Sequence, residues 1–171
     1  FLYNVPLPSL HAHQALCAVV ICPPRRVRLA QPCAASGLNG YDHWDAFLAV
    51  PVVDAVLVAT PPGPRFDLAR AALQAGKHVL LEKPIALHAD EAMELQRLAL
   101  RQQRSVAVDY EYRAVPLFMQ AERLLRSGAV GTPWLGKVDW LMSSRADASG
   151  GGNWYAERKG GGGGIGCLGE H

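Results

Sequence analysis

Apolar residues fall along this chain in short continuous runs, and amphipathic stretches separate them. Residues 15–22 form an unbroken apolar run that Pro23 and Pro24 end. Such a run predicts a strand buried on both faces, as in a parallel sheet. Residues 25–36 read as a short helix stopped by Gly37, with Pro32 a breaker if it is interior. Trp44, Phe47 and Leu48 lie at helical spacing within residues 42–49, and residues 52–60 predict a second buried strand. Pro61, Pro62, Gly63 and Pro64 then predict a loop. Phe66, Leu68, Ala69, Ala72 and Leu73 mark a helix over 65–75 that closes on Gly76. Residues 78–81 predict a third strand, residues 90–103 the clearest helix, and residues 105–110 a fourth strand. A further helix is predicted over 116–126, with Pro116 in its first turn and Gly128 beyond its end. Residues 134–142 alternate as a half-exposed strand does, and glycines crowd the chain from Gly150 onward.

Strands alternating with helical stretches of roughly 10–15 residues are the mark of βαβ units and a parallel, doubly wound sheet. The regular alternation ends near residues 112–116. Composition narrows the picture further. The 171 residues carry 17 Lys and Arg against 15 Asp and Glu, a net charge of +2, and no basic stripe. That balance argues against a dedicated nucleic-acid partner. Half of the residues are hydrophobic, which suits a globular core, but the longest apolar run falls far short of the roughly 18 residues a bilayer needs. No membrane partner is expected. The N-terminal residues show no targeting pattern. Cys17, Cys22, Cys33 and Cys167 lie at no metal-ligand spacing, so no metal site is expected and they read as reduced thiols of a cytoplasmic protein.

A doubly wound sheet binds ligands at the carboxyl ends of its strands. Two loops fall there, one with Thr60, Pro61 and Pro62, the other with Glu82, Lys83 and Pro84. A partly buried lysine at that edge could exchange a proton with a substrate hydroxyl, because burial lowers its pKa toward neutrality. The alternative is a solvated lysine paired with a neighbouring acid.

Residues 52–62 and 75–84 carry a family resemblance. The second block, Ala75-Gly76-Lys77-His78-Val79-Leu80-Leu81-Glu82-Lys83-Pro84, resembles the AGKHVxxEKP motif of the glucose–fructose oxidoreductase/inositol dehydrogenase/rhizopine-catabolism (Gfo/Idh/MocA) family. Arg113 and Pro116 resemble the residues that open its second domain, and residues 160–171 resemble its GGGxxxxxGxH segment. The resemblance implies NAD(P)-dependent oxidoreductases acting on sugars, cyclitols and related polyols by hydride transfer. It implies a Rossmann-type nucleotide domain over residues 1–112 and the beginning of an α/β second domain over 113–171, which relatives often use to form homo-oligomers. It also implies that Thr60, Pro61, Pro62 and Glu82 contact the dinucleotide, while Lys83 and His171 handle the proton.

Three departures are visible. The glycine fingerprint that seats the pyrophosphate is absent, so the first strand and its loop are expected to precede residue 1. Cys167 stands where many relatives carry an aspartate, and the second domain is expected to be cut short at His171. A non-catalytic nucleotide- or sugar-binding relative, or an inactive truncated fragment, is the rival reading. Cofactor choice rests on the first 41 residues, which hold no Asp or Glu to bind a ribose diol. Arg25, Arg26 and Arg28 follow Pro23-Pro24 instead, and arginine there suits a 2′-phosphate, so NADP is expected over NAD. The plainer alternative is that these arginines solvate a helix face.

Overall fold

The protein is described from a computed structural model, in which residues 20–21, 39–137 and 139 are placed. Contacts divide the chain into two compact units, residues 1–108 and 109–171.

The first unit is built on parallel strands. Strand β1 (Val20–Ile21) pairs with β2 (Asn39–Gly40), both parallel, and a short helix α1 (Trp44–Leu48) follows. Helix α1 is held by its aromatic residues: Trp44 stacks on Phe47 at 5.2 Å between ring centroids, and Tyr41 meets the same ring edge-on. Strand β3 (Ala55–Val58), helix α2 (Pro62–Gln74), strand β4 (His78–Glu82), helix α3 (Ala89–Gln102) and strand β5 (Val106–Asp109) come next. Their strands form one parallel sheet in the order β3-β4-β5, so each helix is a crossover between neighbours. This is the Rossmann-type α/β arrangement that the alternating runs predict.

Strand β4 alternates strictly: Val79 and Leu81 are buried while Leu80 is 39% exposed. Val56 and Val58 of β3 are buried with them, in one core that takes in Ala69, Ala72 and Leu73 of α2 and Leu95, Leu98 and Ala99 of α3. The two helices pack on each other through these faces. Their buried residues recur three, four and seven apart, the spacing of a helical stripe. Glu91 caps the start of α3, where its carboxylate accepts the backbone N–H groups of Leu87 (3.1 Å) and His88 (3.2 Å).

Several boundaries differ from expectation. The second strand begins at Ala55, not at residue 52, because Val53 N–H turns back to the Val50 carbonyl and leaves Val52 68% exposed. Nor is it a strand buried on both sides, since Ala55 is exposed and burial alternates. The residues expected to form a loop from Pro62 to Pro64 are instead the first turn of α2, whose N-cap is Pro61. The four N–H groups at a helix start have no intrahelical partner, so proline costs nothing there. Residues 134–137 and 139 form no strand, and Trp134 is 91% exposed. The helix expected over 25–36 lies outside the described residues, as does most of the first strand and the glycine-rich end.

Helix α2 stops where Gly76 takes a φ of +73°. A Cβ there would meet only the Arg104 side chain, at 4.0 Å, so space is not the constraint. Gly76→Ala is expected to destabilise the fold by about 1 kcal/mol through backbone conformation alone, read as a lowered urea midpoint at unchanged m-value.

In the second unit a 3-10 turn (Glu111–Ala114) leads into helix α4 (Pro116–Arg126), over the range its sequence predicts. Tyr112 meets Phe118 edge-on at 6.0 Å, and Glu122 pairs with Arg126 one turn on, at 2.8 Å.

Candidate functional site

Parallel strands end on one edge, and two adjacent ends bring expected site residues together. Val58 of β3 is in register with Leu81 of β4. The residues that follow, Ala59 and Glu82, are therefore neighbours, and Thr60 and Lys83 leave the sheet side by side. Thr60, Glu82 and Lys83 are half-buried, Pro61 is exposed, and Pro62 and Pro84 are buried. The Lys83–Pro84 peptide is cis.

The block from Ala75 to Pro84 divides by role along its length. Lys77 donates from Nζ to the Val50 carbonyl at 3.2 Å, tying the end of α2 to the turn before β3. His78 Nδ1 accepts the Ser105 N–H at 3.0 Å, and Val79 N–H donates to the Ser105 carbonyl at 2.9 Å. Lys77 and His78 thus fasten the amino end of β4 to its surroundings. Glu82 and Lys83 lie at the opposite end, where parallel sheets place ligands.

The first turn of α2 has an unusual donor inventory. Its four free backbone positions are Pro61, Pro62, Gly63 and Pro64, so Gly63 alone keeps an N–H. Helix starts hold phosphate through several such groups, and this one is poorly equipped for that task. It presents instead a rigid, uncharged wall beside Thr60. The Thr60 hydroxyl oxygen is buried and has no hydrogen-bond partner among the described residues. An unmet buried hydroxyl costs about 1–3 kcal/mol.

Arg65 belongs to none of the motifs read from the sequence, yet it meets both loops. Its side chain is 1% exposed, and its guanidinium donates from Nη1 to the Pro84 carbonyl and from Nη2 to the Thr60 carbonyl. One side chain therefore grips both loops. A signal for it existed: Arg65 precedes Ala69, Ala72 and Leu73 by four, seven and eight residues, on the helix's own buried stripe. A cation on such a stripe needs acceptors. Arg25, Arg26, Cys167 and His171 lie outside the described residues.

Comparison with known proteins bears on the family and the fold. Residues 4–110 match a protein family described as "Oxidoreductase family, NAD-binding Rossmann fold". An uncharacterised oxidoreductase of Synechocystis sp. is 41% identical over 169 residues, which cover 98% of this chain and 45% of that protein. The UDP-N-acetylglucosamine 3-dehydrogenase of Acidithiobacillus ferrooxidans is 35% identical over 106 residues, 62% of this chain and 32% of that one. Among solved structures, KijD10, a 3-ketoreductase from Actinomadura kijaniata in complex with NADP and TDP-benzene, superposes with a TM-score of 0.70 at 27% identity. That match covers 74% of this chain and 39% of the ketoreductase. The chain spans less than half the length of these relatives. Among the described residues, no helix is long and apolar enough to cross a membrane.

Proposed function

The chain belongs to the Gfo/Idh/MocA family of oxidoreductases with an NAD-binding Rossmann fold, and on that premise we propose that it is the nucleotide-binding part of an NAD(P)-dependent enzyme acting on a sugar, cyclitol or related polyol. One observation carries the reading: the β3–β4 register sets the loops of Thr60 and Lys83 side by side at the carboxyl edge of a parallel sheet. In this reading Thr60, Pro61, Pro62 and Glu82 line the dinucleotide. Lys83 and His171 exchange the proton of the substrate hydroxyl.

The cofactor, when bound, supplies the hydride acceptor or donor. The chain's own residues have the remaining tasks. The prolines at the start of α2 limit how the ligand can approach and keep that loop from moving. The unpaired Thr60 hydroxyl gives the ligand one directed polar contact. Lys83 is half-buried next to these groups, within reach of solvent and of the loop that holds Thr60. A sugar substrate is favoured because the similar proteins include a UDP-N-acetylglucosamine 3-dehydrogenase and a 3-ketoreductase solved with TDP-benzene.

The test is direct binding to the full-length protein, followed through the fluorescence of NADPH and NADH. Binding of one dinucleotide in the micromolar range is expected, and binding of neither would defeat the proposal. The arginines after Pro24 carry the cofactor preference, so NADPH is expected to bind tighter than NADH. Replacing both Arg25 and Arg26 with alanine should weaken NADPH by about tenfold and leave NADH nearly unchanged. A wild-type protein that prefers NADH tenfold would show that these arginines only solvate the surface.

A further inference from the structure

We infer that Arg65 is a positioning residue: its guanidinium holds the Thr60 and Pro84 carbonyls together and thereby sets the spacing between the loop of Thr60–Pro62 and the loop of Lys83. The inference rests on the reading of these two loops as the cofactor edge.

The prolines take backbone donors away from both loops. Beyond the register pair Val58 and Leu81, a parallel ladder would continue through the next N–H groups of each strand. Pro61, Pro62 and Pro84 have none. By that register Pro61 stands opposite Pro84, so the ladder cannot run past Thr60 and Lys83 into the two loops. Their carbonyls remain and need donors, because a buried carbonyl without one is costly. Arg65 supplies those donors from a side chain.

Position and chemistry both suit the task. Arg65 is on the first full turn of α2, a helix fixed by the core through Ala69, Ala72 and Leu73, all 0% exposed. The fork is thus mounted on a helix anchored in the core. Nη1 reaches the Pro84 carbonyl and Nη2 the Thr60 carbonyl, so the planar group spans both loops at once. Lysine cannot replace it. A lysine ammonium is a compact point charge on a flexible stem, and it has no fixed pair of divergent N–H bonds. Packing alone would favour an apolar residue here, since burying a cation is costly unless its hydrogen bonds are made. The residue is explained by what it holds.

The consequence for the site is specific. Pro84 directly follows Lys83, and its carbonyl belongs to the Pro84–Ile85 peptide, so holding that carbonyl anchors the chain one residue beyond Lys83. The Thr60 carbonyl belongs to the peptide that leads into Pro61 and α2. When the clamp is lost, the two loops lose their mutual spacing while the core beneath them stays packed.

Two variants of the full-length protein test this. Arg65→Met keeps the length of the side chain and removes every donor; Arg65→Lys keeps the charge and removes the fork. Both are expected to weaken dinucleotide binding, Arg65→Met by about tenfold or more and Arg65→Lys by less. The pH profile of kcat is expected to shift as well, because the Lys83 environment moves. A substitution that merely weakened folding would reduce the fraction of active protein, leaving the Kd and pH profile of that fraction as in wild type. Wild-type values of both in Arg65→Lys would overturn the inference, including the case in which Arg65→Met does not fold. Amide exchange keeps this test separate from the cofactor assignment. In Arg65→Lys, residues 59–63 and 83–87 should exchange faster together, by about tenfold, with residues 95–99 unchanged. Faster exchange in only one loop, or in neither, would overturn the clamp. Failure of the wild-type protein to bind dinucleotide would instead defeat the proposed function and leave the exchange result to decide on Arg65.

Discussion

Replacing Lys83 with methionine in the full-length protein is expected to lower kcat by about two to four orders of magnitude, the range a positioned acid–base group contributes. Methionine matches the length of the lysine stem and fills a half-buried position without a charge, so folding should be little affected. Dinucleotide affinity should stay within about threefold of wild type, because the substitution removes a proton carrier and not the loop that holds it. The assay needs a panel of sugars and polyols with both dinucleotides, followed by reduced-nicotinamide absorbance. A variant that turns over its best substrate at the wild-type rate would remove Lys83 from the chemistry. Equal losses in kcat and in dinucleotide affinity would assign it to binding instead.

Leu81→Ala is expected to destabilise the protein by about 2–5 kcal/mol, the cost of an unfilled cavity in a close-packed interior. Leu81 is fully buried in the core shared by α2 and α3, and Glu82 follows it directly. The neighbouring Leu80→Ala should cost much less, about 1 kcal/mol, because Leu80 is 39% exposed. Urea unfolding of the pair therefore reads the facing of β4. Equal losses at the two positions would mean that the strand is buried on both sides. The comparison also bears on the site, since a slip of β4 by one residue would exchange these two faces and move Lys83 out of line with Thr60.

The order of elements was legible because its signals are local. Leu95, Leu98 and Ala99 lie on one helical stripe, and a helix over 90–103 follows from that spacing alone. The end of α2 at Gly76 and the start of α4 at Pro116 were equally readable, for each depends on the backbone of one residue. Errors arose where one residue type has two meanings. Pro62 and Pro64 break a helix interior but open a helix without cost, and only the fold decides which applies. The apolar run at 52–60 and the alternating stretch that begins at Trp134 read as strands, yet a strand needs a partner at the right height. Val52 is drawn into a turn and Trp134 faces outward.

The candidate site was legible to the extent that its residues are consecutive. Thr60 to Pro62 and Glu82 to Pro84 could each be read as a loop at a strand end. That the two loops stand together depends on parallel register, a property of no single segment. Arg65 was missed for the same reason. Its acceptors are five and 19 residues away along the chain, and both are backbone carbonyls, which every residue possesses. Nothing in the identity of Thr60 or Pro84 announces that an arginine will meet it.

The prolines that open α2 also act on the chain before it folds. Each fixes its own φ near −65° whether or not structure has formed, and each restricts the residue before it. Three of the four residues from Pro61 to Pro64 are thus confined in the unfolded ensemble, and ordering them costs less conformational entropy than ordering a flexible loop of equal length. A ligand that arrives at this edge meets a surface whose shape already exists, so little of its binding energy is spent on arranging the wall. If the edge holds the dinucleotide as proposed, selectivity there comes from rejection: a group that does not fit cannot persuade these residues to move aside.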